Sequence, residues 1–159
     1  MATTSKLNVS ERWLLTILVL LPTYLIRFSI IGLPLNLLDI LIGCGFLHCV
    51  IYYRGIRVSP AYRMMAITFL LIGLVAMAVS DAKLDALGVY KSYLLAPILV
   101  GAMLQTIRPQ LQHILQALGW CLLFIGLVAT IQWLTGYGIP APWNVGGIDV
   151  RVTSIFEYP

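Results

Sequence analysis

At 159 residues, with 60% hydrophobic and only 10% charged side chains and a mean hydropathy of +0.95, the chain is too apolar to clothe a soluble globule of its size. It reads as an all-α, polytopic integral membrane protein, long enough for about five spans of roughly 20 residues each with no separate soluble domain. A net charge of +4 does not point to nucleic acid, because the ten Lys and Arg are scattered singly between apolar runs, as topology signals are.

A polar leader, "MATTSKLNVSER", precedes the first apolar run, Trp13 to Ile31, which as a helix covers roughly 28 Å. Lys6 and Arg12 resemble the positive region of a signal peptide. Pro22 and Arg27 interrupt the run, however, and no small-residue cleavage site follows, so a retained, kinked anchor is expected. The second run, Leu35 to Tyr53, follows "GLP", with Pro34 suited to a first helical turn and Asp39 near the positive end of the helix dipole.

A basic connection, "RGIRVSPAYR", leads into a third span over residues 61–80, which ends in the polar "SDAKLDALG". The next segment, "VYKSYLLAPILVGAMLQTI", gives a short span over 93–107, with Pro97 inside it and Lys91 at its outer end. Such a helix is either a span with an interfacial turn or the lining of a polar cavity. The fifth span, 114–134, places Gly119 and Gly126 on one face, where close helix contact is possible. Residues 1–135 thus form the transmembrane region, and 136–159, rich in Gly and Pro, form a loop. Trp133, Tyr137 and Trp143 suit an aromatic belt at the membrane surface.

With the N-terminus cytoplasmic, Lys6, Arg12, Arg54, Arg57, Arg63 and Arg108 fall inside and Arg27, Lys83, Lys91 and Arg151 outside, as the positive-inside rule favours. Residues 136–159 then lie on the outer face. There Arg27, Lys91 and Arg151, with Glu157, are the polar groups near the boundary. Cations so placed suit a diphosphate, Arg as a planar fork and Lys as a point charge; snorkelling to lipid headgroups is the competing role.

Asp39 and His48, nine residues apart in the second span, fall on opposite sides of the helix and suit separate interior contacts, not a proton relay. Cys44, Cys49 and Cys121 sit in apolar runs as small hydrophobes. No Ser/His/Asp set, metal-ligand spacing, phosphate-binding Gly loop or dinucleotide fingerprint is present.

The stretches "PTYLIRFSIIGLPLNLLDILI" (22–42), "DALGVYKSYLLAPILVGAML" (85–104) and "RVTSIFEYP" (151–159) together resemble the N-terminal part of bacterial O-antigen ligase and O-antigen polymerase-like membrane proteins. In that family an outer-face Arg, small or hydroxyl residues, a Phe and a Pro-Asn step open the next membrane helix. The resemblance covers essentially the whole chain, and the Lys-to-Pro and Arg-to-Pro stretches carry most of its specificity. Family members have more spans and a larger periplasmic loop with essential Arg and His residues, so the chain is expected to be an N-terminal fragment, inactive alone.

The resemblance implies glycan transfer from an undecaprenyl diphosphate carrier to a sugar or lipid acceptor at the periplasmic face of the bacterial inner membrane, without metal or other cofactor. Arg27, Lys91 and Arg151 are then expected at the carrier diphosphate, where cations neutralise the leaving group. No residue is a good general base; Glu157 is a supporting candidate, with an ion pair to Arg151 as its alternative role. The rival expectation is a non-enzymatic transporter subunit in which Pro22, Arg27, Asp39 and Pro97 line a path, since broken helices are common in such folds.

Overall fold

The computed structural model describes residues 8–25, 27–30 and 33–135, and the chain is mostly helical. Helix α1 (Val9–Val19) starts where the Asn8 side chain accepts the Ser10 N–H, 3.0 Å. At 11 residues it is about 16 Å long, too short to cross a bilayer. It stops because Pro22 has no N–H to offer the preceding turn, and a 3₁₀ turn (Leu21–Leu25) takes over.

A small antiparallel hairpin follows, β1 (Arg27–Ile30) on β2 (Leu33–Asn36), in the register Arg27↔Asn36, Phe28↔Leu35, Ser29↔Pro34 and Ile30↔Leu33. The single kinked span expected over 13–31 is therefore a short helix, a turn and a strand. Pro34 lies in β2 and not in a helical turn; both strands of a two-stranded sheet are edges, which tolerate proline.

Helix α2 (Leu37–Tyr53) begins at a capping box. Asn36 Oδ1 accepts the Asp39 N–H at 2.7 Å, and Asp39 Oδ2 accepts the Asn36 N–H at 3.2 Å. It ends with Arg54 in the left-handed region (φ 53°) and Gly55 at φ 134°. The Gly55 N–H reaches back to the Val50 carbonyl and the Arg54 N–H to that of Ile51, the Schellman closure. Helix α3 (Pro60–Val79) is started by Ser59, whose Oγ accepts the Tyr62 N–H, and by Pro60 in the first turn.

Helices α4 (Lys83–Val89) and α5 (Ala96–Ile107) are joined without a break by a π turn, Tyr90–Leu95. The expected short span over 93–107 is thus the second part of a 25-residue rod, Lys83–Ile107. Within it the Ala96 N–H bonds the Lys91 carbonyl, five residues back. Pro97, which cannot donate, weakens the ladder at that point, and the extra residue is absorbed there. Arg108 in the left-handed region and Pro109 end α5, and α6 (Leu111–Thr135) completes the described chain.

Three stretches are long and apolar enough to cross a membrane, Pro60–Val79, Lys83–Ile107 and Leu111–Thr135, whereas Leu37–Tyr53 is apolar but shorter. Helical, membrane-compatible architecture is therefore established, and five spans are not. The core lies where α1, α2 and α5 meet, built on Leu14, Ile17, Leu38, Ile42, Cys49 and Met103. Gly45 permits it: a Cβ there would lie 2.9 Å from Ile17 Cδ1 and 3.3 Å from Met103 Cε.

α6 packs on α1 and α3 on the π turn, while long apolar runs on both stay exposed, including Ile72, Val75, Leu122 and Phe124. Such surface belongs in lipid or against further protein. A Cβ added at Gly119 or Gly126 would meet nothing within 4 Å, so the close contact expected on that face is not made among the described residues. Helix directions collect Arg12, Arg54, Arg57, Arg63 and Arg108 at one end, and the hairpin, Asp39, Asp81, Lys83, Asp85 and Lys91 at the other.

Candidate functional site at the hairpin end

Lys91 is the sequence-predicted site residue whose side chain falls among the described residues. Its Nζ lies 2.6 Å from Asp39 Oδ2, with the two side chains 21% and 10% exposed. The same Oδ2 accepts the Asn36 N–H, so one carboxylate oxygen closes the α2 cap and neutralises the lysine. A carboxylate at a helix N-terminus is stabilised by the dipole, and an ammonium this poorly hydrated needs a counter-charge. Asp39 meets both requirements.

The π turn sets this meeting. One inserted residue rotates the preceding helix by about 100° relative to the one that follows, which changes the direction in which the Lys91 stem leaves the rod. The π turn also packs on Gly73 of α3, where an added Cβ would lie 2.7 Å from a Tyr90 ring carbon. Tyr62 of α3 donates its hydroxyl to the Ile98 carbonyl at 2.6 Å, just beyond Pro97. Both ends of the irregular segment are thereby fixed.

Two cavities flank the Lys91 side chain. One, of about 200 Å³, is lined by Tyr24, Asn36, Asp85, Lys91, Ser92 and Tyr93 among others; the second, about 220 Å³, is more apolar and includes Asp39, Lys91, Leu95 and Leu99. Each falls below the roughly 300–1,000 Å³ of pockets that enclose a drug-sized ligand. They suit a headgroup or part of one, not a whole glycan.

Of the other predicted residues, Arg27 opens β1, and its backbone pairs with Asn36, a residue that lines the first cavity. Two of the three predicted cations therefore lie at the same end of the fold, one on β1 and one in the π turn. Arg151 and Glu157 lie outside the described residues, as does the whole loop 136–159 with Tyr137 and Trp143. Asp39 and His48 keep separate company, as their spacing requires: His48 Nδ1 is 3.3 Å from Ser10 Oγ at the opposite end of α2, and its ring stacks on Tyr52.

Sequence reasoning named Asp39 and Lys91 singly and missed their pairing. The usable signal was their rarity, because an acid and a base in otherwise apolar helices are more stable together than apart. It also missed the contact between His113 Nδ1 and Glu11 Oε1, 2.9 Å, which ties α6 to α1. Compared with family models, curated proteins and solved structures, the chain shows no match.

Proposed function

We propose that the chain is the N-terminal, membrane-embedded part of an O-antigen ligase- or polymerase-like glycosyltransferase. It would act in cell-surface polysaccharide assembly at the bacterial inner membrane, with the N-terminus cytoplasmic and the hairpin end periplasmic. The substrate is a glycan on undecaprenyl diphosphate, and the acceptor a sugar or lipid hydroxyl. The observation that carries the reading is Lys91, a cation between two small cavities that are also lined by β2, the strand whose Asn36 pairs with Arg27.

In this reading the carrier diphosphate approaches Lys91 from the cavity side and competes with Asp39 for the ammonium. Lys91 offers a point charge, and Arg27 and Arg151 offer planar forks, to oxygens that gain negative charge as the glycosidic bond breaks. The concentration of Arg12, Arg54, Arg57, Arg63 and Arg108 at the other end supports the cytoplasmic assignment of that end.

The test is Lys91→Gln in the host's own protein, with surface glycan read on gels and membrane abundance by immunoblot. Glycan transfer is expected to fall at least tenfold at unchanged abundance, with partial activity for Lys91→Arg and full activity for Lys83→Gln, at a position that lines neither cavity. Undiminished glycan assembly in Lys91→Gln refutes the assignment.

A further inference from the structure

At the end of the fold away from the hairpin, Arg57, Val58, Ser59, Gln105 and Arg108 line a cavity of about 530 Å³, larger than either cavity beside Lys91. Its walls are the α2–α3 connection and the end of α5. Side chain-to-backbone bonds tie them together. The Arg57 N–H donates to Thr106 Oγ1 at 3.1 Å and the Ser59 N–H to Gln105 Oε1 at 2.9 Å, while Thr106 donates to the Ala102 carbonyl at 2.8 Å. These bonds use backbone groups and neutral side chains and leave the charges unspent. Among the described residues neither Arg57 nor Arg108 forms an ion pair, and both are exposed.

We propose that this cavity seats the phosphate of an anionic lipid headgroup. Two guanidinium groups on one cavity offer planar forks for phosphate oxygens. Ser59 Oγ already accepts the Tyr62 N–H, so its hydroxyl hydrogen is left to donate.

The ligand is a lipid and not a free anion because of where the cavity lies. α3 departs from it and α5 arrives at it, both in stretches apolar enough to cross a membrane, and Met64, 72% exposed, follows within two turns of Ser59. A phosphate bound there sits at headgroup depth, with its acyl chains beside apolar helix. Basic pockets between helices at the cytoplasmic side recognise such headgroups. The inference rests on the helices lying in a bilayer and is independent of glycosyl transfer.

The experiment presents the full chain in detergent with phosphatidylglycerol or phosphatidylcholine and counts retained lipid by native mass spectrometry. Helix content is followed by circular dichroism. Phosphatidylglycerol is expected to be retained in preference. Arg57→Gln and Arg108→Gln are each expected to lower that retention about fivefold, the weight of one basic residue near an anionic surface. Arg57→Lys and Arg108→Lys, which keep the charge, fall between. Arg63→Gln removes an exposed arginine that does not line the cavity and leaves retention unchanged.

Equal retention of the two lipids, or an equal loss with Arg63→Gln, overturns the proposal. So does displacement of the lipid by millimolar inorganic phosphate, which would assign the cavity to a free anion.

Discussion

Removing the Asp39 charge should uncouple α2 from the π turn, and the size of the effect follows from the burial of the pair. Exposed ion pairs are worth about 0.2–1 kcal/mol, and breaking a fully buried one costs about 3–5 kcal/mol. With side chains 21% and 10% exposed, Asp39–Lys91 lies between those limits, and a coupling of about 1–3 kcal/mol is expected. Asp39→Asn keeps an oxygen to accept the Asn36 N–H and loses only the charge. Lys91→Met keeps the apolar stem and loses the ammonium. The double variant closes a mutant cycle that isolates the pair. Asp39→Ala also loses the capping bond and should fall about 1 kcal/mol below Asp39→Asn. The assay is unfolding of the detergent-solubilised chain against SDS mole fraction, followed by circular dichroism. A coupling below about 0.5 kcal/mol would mean that Lys91 reaches water and treats Asp39 as one surface neighbour among others, which would remove the reason for placing it at a closed site.

Substituting Gly73 by Val should separate α3 from the π turn, since its side chain would meet Leu94 and the Tyr90 ring; destabilisation of about 1–3 kcal/mol is expected. Gly126→Ala, at a site with open space, should instead be neutral or slightly stabilising in the same unfolding assay. Tyr62→Phe removes the bond to the Ile98 carbonyl and should cost about 0.5–1.5 kcal/mol, with circular dichroism showing unchanged helix content in the folded state. Asn8→Ala loses both the α1 cap and the 2.9 Å bond from Asn8 Nδ2 to the Tyr53 hydroxyl. A loss of about 1–2 kcal/mol is expected, seen as a lower unfolding midpoint.

The long apolar runs were legible because hydropathy and length alone mark a spanning helix: 61–80 and 114–134 differ from the observed Pro60–Val79 and Leu111–Thr135 by at most a few residues. The first run misled because a largely apolar stretch of 19 residues says nothing about backbone conformation. Pro22 ended α1, and Phe28 and Ile30, which favour extended structure, then paired with β2. The 93–107 segment was cut short for the opposite reason. Lys83 and Asp85 look like loop residues, yet they form the first turn of the helix that continues through the π turn to Ile107. At the site, each polar residue was visible and the pairing was not, because 52 positions separate Asp39 from Lys91 and only a three-dimensional arrangement of α2 and the π turn joins them.

The two ends of the fold treat their cations in opposite ways. At the basic end the connection is clamped by neutral groups, Thr106 and Gln105, so the guanidinium groups of Arg57 and Arg108 owe nothing to the fold. At the hairpin end Lys91 is committed to Asp39, and an arriving anion must outcompete a carboxylate held in place by a helix cap. If it succeeds, Asp39 loses its ionic partner but keeps the Asn36 N–H, and the reciprocal bond from the Asp39 N–H to Asn36 Oδ1 is untouched. The start of α2 therefore stays formed, and with it the Arg27↔Asn36 register that fixes the first residue of β1. In the proposed reading, exchange of Asp39 for another anion at Lys91 would cost the ion pair between α2 and the π turn but leave the α2 capping box in place.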